Sequence, residues 1–81
     1  MSKIINIEEN NSILIISTEG YLNKDLATSI FDESSKYIDD GTRTVLINLS
    51  NSNIVNSIGA SIIIELIEKL QDVNGSLSFF S

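Results

Sequence analysis

The 81-residue chain has no cysteine and no histidine, and it has little positive charge. Without cysteine there is no disulfide and no thiolate metal ligand. Without histidine there is no imidazole ligand, and every Ser-His or Cys-His nucleophile pair is excluded. Five basic residues stand against eleven acidic ones, a net charge of −6 and a pI near 4.2. Such a chain repels nucleic acid phosphates and anionic lipid headgroups, so nucleic acid is not expected as a partner. Long apolar runs are also missing. Stretches such as Ile62-Ile63-Ile64 fall far short of the ~20 residues that cross a bilayer, and the opening Met-Ser-Lys-Ile-Ile-Asn lacks the apolar core of a signal peptide. A cytoplasmic protein without direct membrane insertion is expected. No glycine-rich phosphate loop, zinc motif or calcium loop occurs, so no cofactor is expected, and the chain does not read as an enzyme.

What is present is a globular balance of 42% hydrophobic and 20% charged residues, incompatible with a disordered chain. Residues 1–81 read as one domain. At this length folding buries only roughly 60–65% of the unfolded surface, and the stability margin is small.

Lys3 to Glu8 and Ser12 to Glu19 are rich in β-formers and are separated by Asn10-Asn11, the chemistry of a hairpin turn. Continuous apolarity from Ile13 to Ile16 predicts a strand covered on both faces. After Gly20, Asn23 is a good helix N-cap, and Leu26, Ile30, Phe31, Tyr37 and Ile38 recur at helical spacing up to Asp39-Asp40-Gly41. Thr44 to Leu49 is a further strand, about Ser57 to Val73 a second helix stopped by Asn74-Gly75, and Ser76 to Phe80 a last strand. The expected fold is α/β, in β-β-α-β-α-β order, with crossover helices, parallel later strands and an antiparallel N-terminal hairpin.

The stretch from Thr44 to Leu66 concentrates the functional signal: strand, polar loop, then an apolar helix opening at Asn56-Ser57. A hydroxyl at a helix start lies among N–H groups without intrahelical partners, at the positive end of the macrodipole, where a phosphate is favoured. The alternative is that Asn56 or Ser57 only caps the helix, a role worth about 1 kcal/mol.

Asn48-Leu49-Ser50, then three residues, then Ile54-Val55-Asn56-Ser57-Ile58-Gly59 resembles the strand-loop-helix signature of STAS domains, the family of anti-sigma factor antagonists and sulfate-transporter tails. Gly20-Tyr21-Leu22-Asn23 ahead of an amphipathic helix resembles a second landmark of that family. The resemblance implies a STAS-like mixed sheet and a non-catalytic bacterial signalling module. Its partner would be an anti-sigma-type serine kinase or another protein, binding through Asn56, Ser57, Ile58 and Gly59, with Ser57 as the phosphorylated residue. It implies equally an alternative, a constitutive STAS subunit of a transporter or stress-signalling assembly. Three departures bear on the choice: Asn48 and Asn56 stand where the family carries acids, and Ile58 replaces a second serine. A nucleotide at the same helix start ranks lower, for want of a P-loop.

Gly59 fits a first helical turn that approaches a neighbouring backbone closely. In helix two, Ile63, Leu66, Ile67 and Leu70 form the core stripe, and Ile62 and Ile64 widen it, making Ile62 a candidate docking residue. The acids read as a solvated surface, with Asp32–Lys36 and Glu65–Lys69 pairs expected one helical turn apart. STAS domains ordinarily continue into another helix, so the chain is expected to lack one that covers part of the sheet. With the uncharged strand Ser76 to Phe80 at a sheet edge, homodimerisation is expected.

Overall fold

The computed structural model describes residues 2–51 and 56–80. The polar loop anticipated around Ser52, Asn53, Ile54 and Val55, together with Met1 and Ser81, lies outside the described residues. Four strands and two helices follow in order: β1 (Lys3–Asn10), β2 (Ile13–Glu19), α1 (Lys24–Asp39), β3 (Thr44–Asn51), α2 (Ser57–Gln71) and β4 (Ser76–Phe80). The strands lie in the sheet in chain order, with β1 antiparallel to β2 and the β2–β3 and β3–β4 pairs parallel. This is the expected β-β-α-β-α-β mixed sheet.

Because both parallel connections step in the same direction, right-handed crossovers place α1 and α2 side by side on one face. Leu14 and Ile16 of β2 and Val45 and Ile47 of β3 point into that layer and are fully buried with Leu26, Ile30, Leu66 and Leu70. The expectation that β2 is covered on both faces is overturned. Ile13 is 38% exposed and Ile15 half-buried, since no described element lies over the opposite face. The apolar run from Ile13 to Ile16 therefore alternates after all, between a covered and an open side.

The turn joining β1 and β2 is displaced by one residue from the expected position. Asn11 and Ser12 both adopt positive φ, at 50° and 70°, the pattern of a two-residue type I′ hairpin whose twist suits the flanking strands. In β1 the register shifts between Ile4 and Asn6. Ile4 and Ile7 are three residues apart and could not share a face of a regular strand. The bulge at Ile5 lets Ile4 pair beside Thr18 and Ile7 beside Ile16, both packed against the core.

Both helices start where side-chain chemistry says they should. The Asn23 Oδ1 accepts the Leu26 N–H at 3.0 Å, and Asn74 (φ 61°) followed by Gly75 closes α2. The lysines, however, take other partners than those expected at one-turn spacing. Lys36 reaches back to Glu33 at 2.8 Å, and Lys69 crosses to Asp39 of α1 at 3.7 Å. The second pair spans two helices, so tertiary packing rather than helix periodicity selects it.

Among the described residues two buried hydroxyls, those of Ser34 and Ser35 in α1, have no hydrogen-bond partner. Ser34 of α1 is fully buried, and its Oγ has no hydrogen-bond partner. An unsatisfied buried hydroxyl costs on the order of 1–3 kcal/mol, and alanine is the better helix former. Ser34→Ala is expected to stabilise the domain by about 1 kcal/mol, roughly 4–8 °C in unfolding midpoint. Thermal unfolding followed by circular dichroism checks this; an unchanged or lowered midpoint contradicts it.

Candidate functional site

The C-terminal end of β3, the start of α2 and the β2–α1 connection meet at one end of the sheet. The register between β2 and β3 advances by an extra residue on β3, Ser17 lying beside Asn48 but Glu19 beside Asn51. Such a bulge leaves a backbone N–H without a ladder partner. Asn48 supplies one, its Oδ1 accepting the Ser50 N–H at 2.9 Å and the Ser50 hydroxyl at 2.6 Å. The Asn48 carbonyl in turn accepts the Thr18 hydroxyl at 3.2 Å. Asn48 thus sets the direction in which the chain leaves the sheet.

On the far side of the loop, Asn56 is extended (φ −86°, ψ 145°), and its Oδ1 accepts the Ile58 N–H at 2.7 Å. Asn56 is therefore the N-cap, and Ser57 is the first helical residue. Ser57 is exposed. Its carbonyl accepts the Ser61 hydroxyl at 3.0 Å, whereas no described group is bonded to its own hydroxyl. The first turn of α2 carries no acidic residue, so the positive end of the helix faces solvent without a compensating carboxylate.

Gly59 holds this helix start in place. The Asn56 N–H donates to the Leu22 carbonyl at 3.0 Å, and a Cβ built on Gly59 would lie 2.5 Å from that same oxygen and 3.1 Å from the Asn23 carbonyl. The expected close backbone approach is present, and its partner is the Tyr21–Asn23 segment. That segment is itself fixed by an Asn23 N–H to Tyr21 carbonyl bond of 2.8 Å. Both landmarks read from the sequence are thus in contact at one end of the molecule.

The candidate residues do not all share one environment. Asn56 is half-buried, Gly59 buried, Ser57 exposed and Ile58 56% exposed. Ile62 is half-buried and packs against the core. Of the two isoleucines expected to widen the stripe, the exposed one is Ile64, at 55%. Beside it an open apolar groove of about 360 Å³ runs between α2 and β4, lined by Leu22, Leu49, Ala60, Ile63, Ile64, Ile67 and Phe79. Phe79 belongs to the strand expected at the sheet edge. Its 44% exposure follows from the edge position of β4. Among the described residues no cluster of acidic side chains could hold a metal ion, and no helix is long and apolar enough to cross a membrane.

The geometry generates two expectations. Asn56→Ala should cost about 1 kcal/mol by removing the cap, while Asn56→Asp keeps the acceptor and should preserve stability or raise it; chemical denaturation of the two variants separates them. Gly59→Ala forces a Cβ onto the Leu22 carbonyl, and the loss of packing outweighs alanine's helix preference, for a net cost of about 1–2 kcal/mol. A Gly59→Ala variant at least as stable as the parent would show that the first turn can move away from the Leu22 carbonyl freely.

A model of the STAS domain matches residues 5–81. No curated protein sequence matches the chain. Among solved structures, that of the anti-sigma factor antagonist SpoIIAA in its unphosphorylated form superposes with a TM-score of 0.76 at 20% identity, over 91% of this chain and 69% of that one. The Bacillus cell fate determinant SpoIIAA in the phosphorylated form gives 0.72 at 19% identity, over 93% and 68%. Mglu gives 0.78 at 20% identity over 94% of this chain, which spans 19% of the Mglu chain. At these identities the likeness is one of fold.

Proposed function

This chain belongs to the STAS domain family, and on that footing we propose that it is a non-catalytic protein-interaction and regulatory module of the anti-sigma factor antagonist kind, switched by phosphorylation of Ser57. The observation that carries the reading is the division of labour among hydroxyls at this end of the sheet. The Ser50 hydroxyl is engaged by Asn48, and that of Ser61 by the Ser57 carbonyl. Capping of α2 is done by Asn56. That leaves Ser57 exposed at the helix start with a hydroxyl that no described group uses. The purely capping role weighed for Ser57 thus has little structural support.

A phosphate at this position brings about −1.5 to −2 charges to a helix terminus that favours them. The same charge, set among Ile58 and the first turn of α2, opposes docking of an apolar or acidic partner surface. The partner is then a serine kinase of the anti-sigma type, acting as both binding target and modifier, with Asn56, Ser57, Ile58 and Gly59 in the contact. SpoIIAA has been solved in phosphorylated and unphosphorylated forms, which accords with the reading for a chain of the same fold.

A second reading, a constitutive subunit of a larger assembly, is favoured by one specific observation. Asn48 and Asn56 both act through Oδ1 as hydrogen-bond acceptors, a role an aspartate fills equally well. The chain therefore keeps the backbone geometry of this end and drops two negative charges. In the subunit reading those charges are dispensable because no kinase reads them.

Incubation with anti-sigma-type serine kinases followed by phosphopeptide mapping is expected to give Ser57 as the single stoichiometric site. Ser57→Ala should retain partner binding, and Ser57→Asp should weaken it severalfold. Dominant modification at another serine refutes the assignment. Equal binding by both variants with no modification establishes the subunit reading instead.

A further inference from the structure

The chain around Ser57 carries no charge of its own. From Asn48 to Ile64 there is no ionisable side chain, so a charged group that answers a phosphate on Ser57 must come from another segment. The segment in contact is the β2–α1 connection. The Asn56 N–H is bonded to the Leu22 carbonyl at 3.0 Å, and a Cβ on Gly59 would lie 3.1 Å from the Asn23 carbonyl. The next residue is Lys24, the first of α1.

Lys24 stands apart from the other basic residues. Lys3 is 4.0 Å from Glu19, Lys36 2.8 Å from Glu33 and Lys69 3.7 Å from Asp39, while the Arg43 guanidinium donates to the Ile38 and Thr42 carbonyls. Lys24 is exposed and has no such partner among the described residues. A cation in the first turn of a helix also opposes the macrodipole, and Asp25, one position along, does not face it. Its direction follows from the seam between the two helices. The Asp39–Lys69 pair marks rows of α1 and α2 that face each other. Lys24 lies about four turns before Asp39, and Ile58 about three turns before Lys69. Because α1 and α2 both begin where the parallel strands β2 and β3 finish, Lys24 and Ile58 lie at the opposite end of that seam. Ser57 adjoins Ile58 and is exposed.

On the reading of Ser57 as a phosphorylation site, we propose that Lys24 is the side chain that holds the phosphate. Helices in contact run with axes about 8–10 Å apart, a gap that a lysine stem and a phosphoserine at neighbouring helix starts close between them. Lys24 is a positioning residue: its ammonium pairs with the phosphate oxygens and ties the start of α1 to the start of α2. Modification then withdraws the one free basic side chain among the described residues as it adds negative charge, and both changes disfavour an acidic partner surface. In the unmodified protein Lys24 costs stability at the start of α1. In the phosphorylated protein it contributes stability, and this reversal of sign distinguishes a clamp from an ordinary surface lysine.

Phosphoserine placed at position 57 by genetic encoding tests the clamp without any kinase, so failure of a kinase to modify Ser57 bears on the proposed function and not on Lys24. Phosphorus NMR follows the second ionisation of the phosphate, near pH 6 when unperturbed. Lys24→Gln is expected to raise its proton affinity about threefold, roughly half a pH unit, and Lys24→Arg to restore the parent value. The other ionisable groups at this end are Glu19, paired with Lys3, then Tyr21, Asp25 and, about two turns along α2, Glu65; all are common to the parent and both variants. In thermal unfolding, Lys24→Gln should leave the unphosphorylated midpoint unchanged or higher and lower the phosphorylated one by about 2–4 °C. Equal phosphate titration in parent and Lys24→Gln overturns the inference and leaves the helix-start amides as the phosphate's partners. An equal effect of Lys36→Gln, far along α1, marks net charge alone and overturns it too. So does a lowered midpoint for unphosphorylated Lys24→Gln, which would show that Lys24 is already engaged in the unmodified domain.

Discussion

The molecule depends on the contact between the first turn of α2 and the Leu22 carbonyl. Asn56 donates its N–H to that oxygen, and Gly59 leaves it room. Two connections far apart in sequence, β2–α1 and β3–α2, are thereby locked together at the end of the sheet where parallel strands deliver their helices. Once this contact is made, the start of α2, the height of Ser57 above the strands and the slope of α2 across β3 and β4 are all set. The apolar layer follows from it: Ile63, Leu66 and Leu70 fall onto Val45 and Ile47 only if the helix begins at that point. Side-chain hydrogen bonds at Asn48 and Asn56 serve the same end, because each satisfies backbone groups that a bulge and a helix start leave without partners.

Much of this was legible in the sequence, for reasons that differ by element. The helices and their caps could be read because Asn23, Asn56 and Asn74-Gly75 act locally, through bonds to residues two or three positions away. Ser76 to Phe80 stood out by its β-forming character between a helix stop and the chain end. The close approach at Gly59 could be anticipated as a type of contact, since few other needs call for glycine in a first helical turn. Its partner at Leu22 could not, because that is a fact about two segments brought together by the sheet.

The misreadings share a cause. Four consecutive apolar residues from Ile13 looked like a strand covered twice, yet one layer of helices satisfies only every second one. Lys69 found its partner by tertiary reach across to α1, while Lys36 paired with Glu33 three residues back in its own helix in place of Asp32. Ile62 and Ile64 were indistinguishable as members of a widened stripe. Only the position of α1 beside α2, and of β4 at the margin, makes the first half-buried and the second a surface feature.

Placing all the helical cover on one face has a consequence for how the domain opens. Leu14, Ile16, Val45 and Ile47 belong to the two inner strands, and neither inner strand can separate without dissolving the whole apolar layer. The outer strands have neighbours on one side only, and β4 ends in half-exposed phenylalanines. Amide hydrogens of β2 and β3 therefore exchange with solvent only through global unfolding, whereas those of β1 and β4 are reached by cheaper, local fraying. The margins of the sheet at β1 and β4 thus resist opening least, and a partner held at the start of α2 protects the inner strands only as much as it stabilises the domain as a whole.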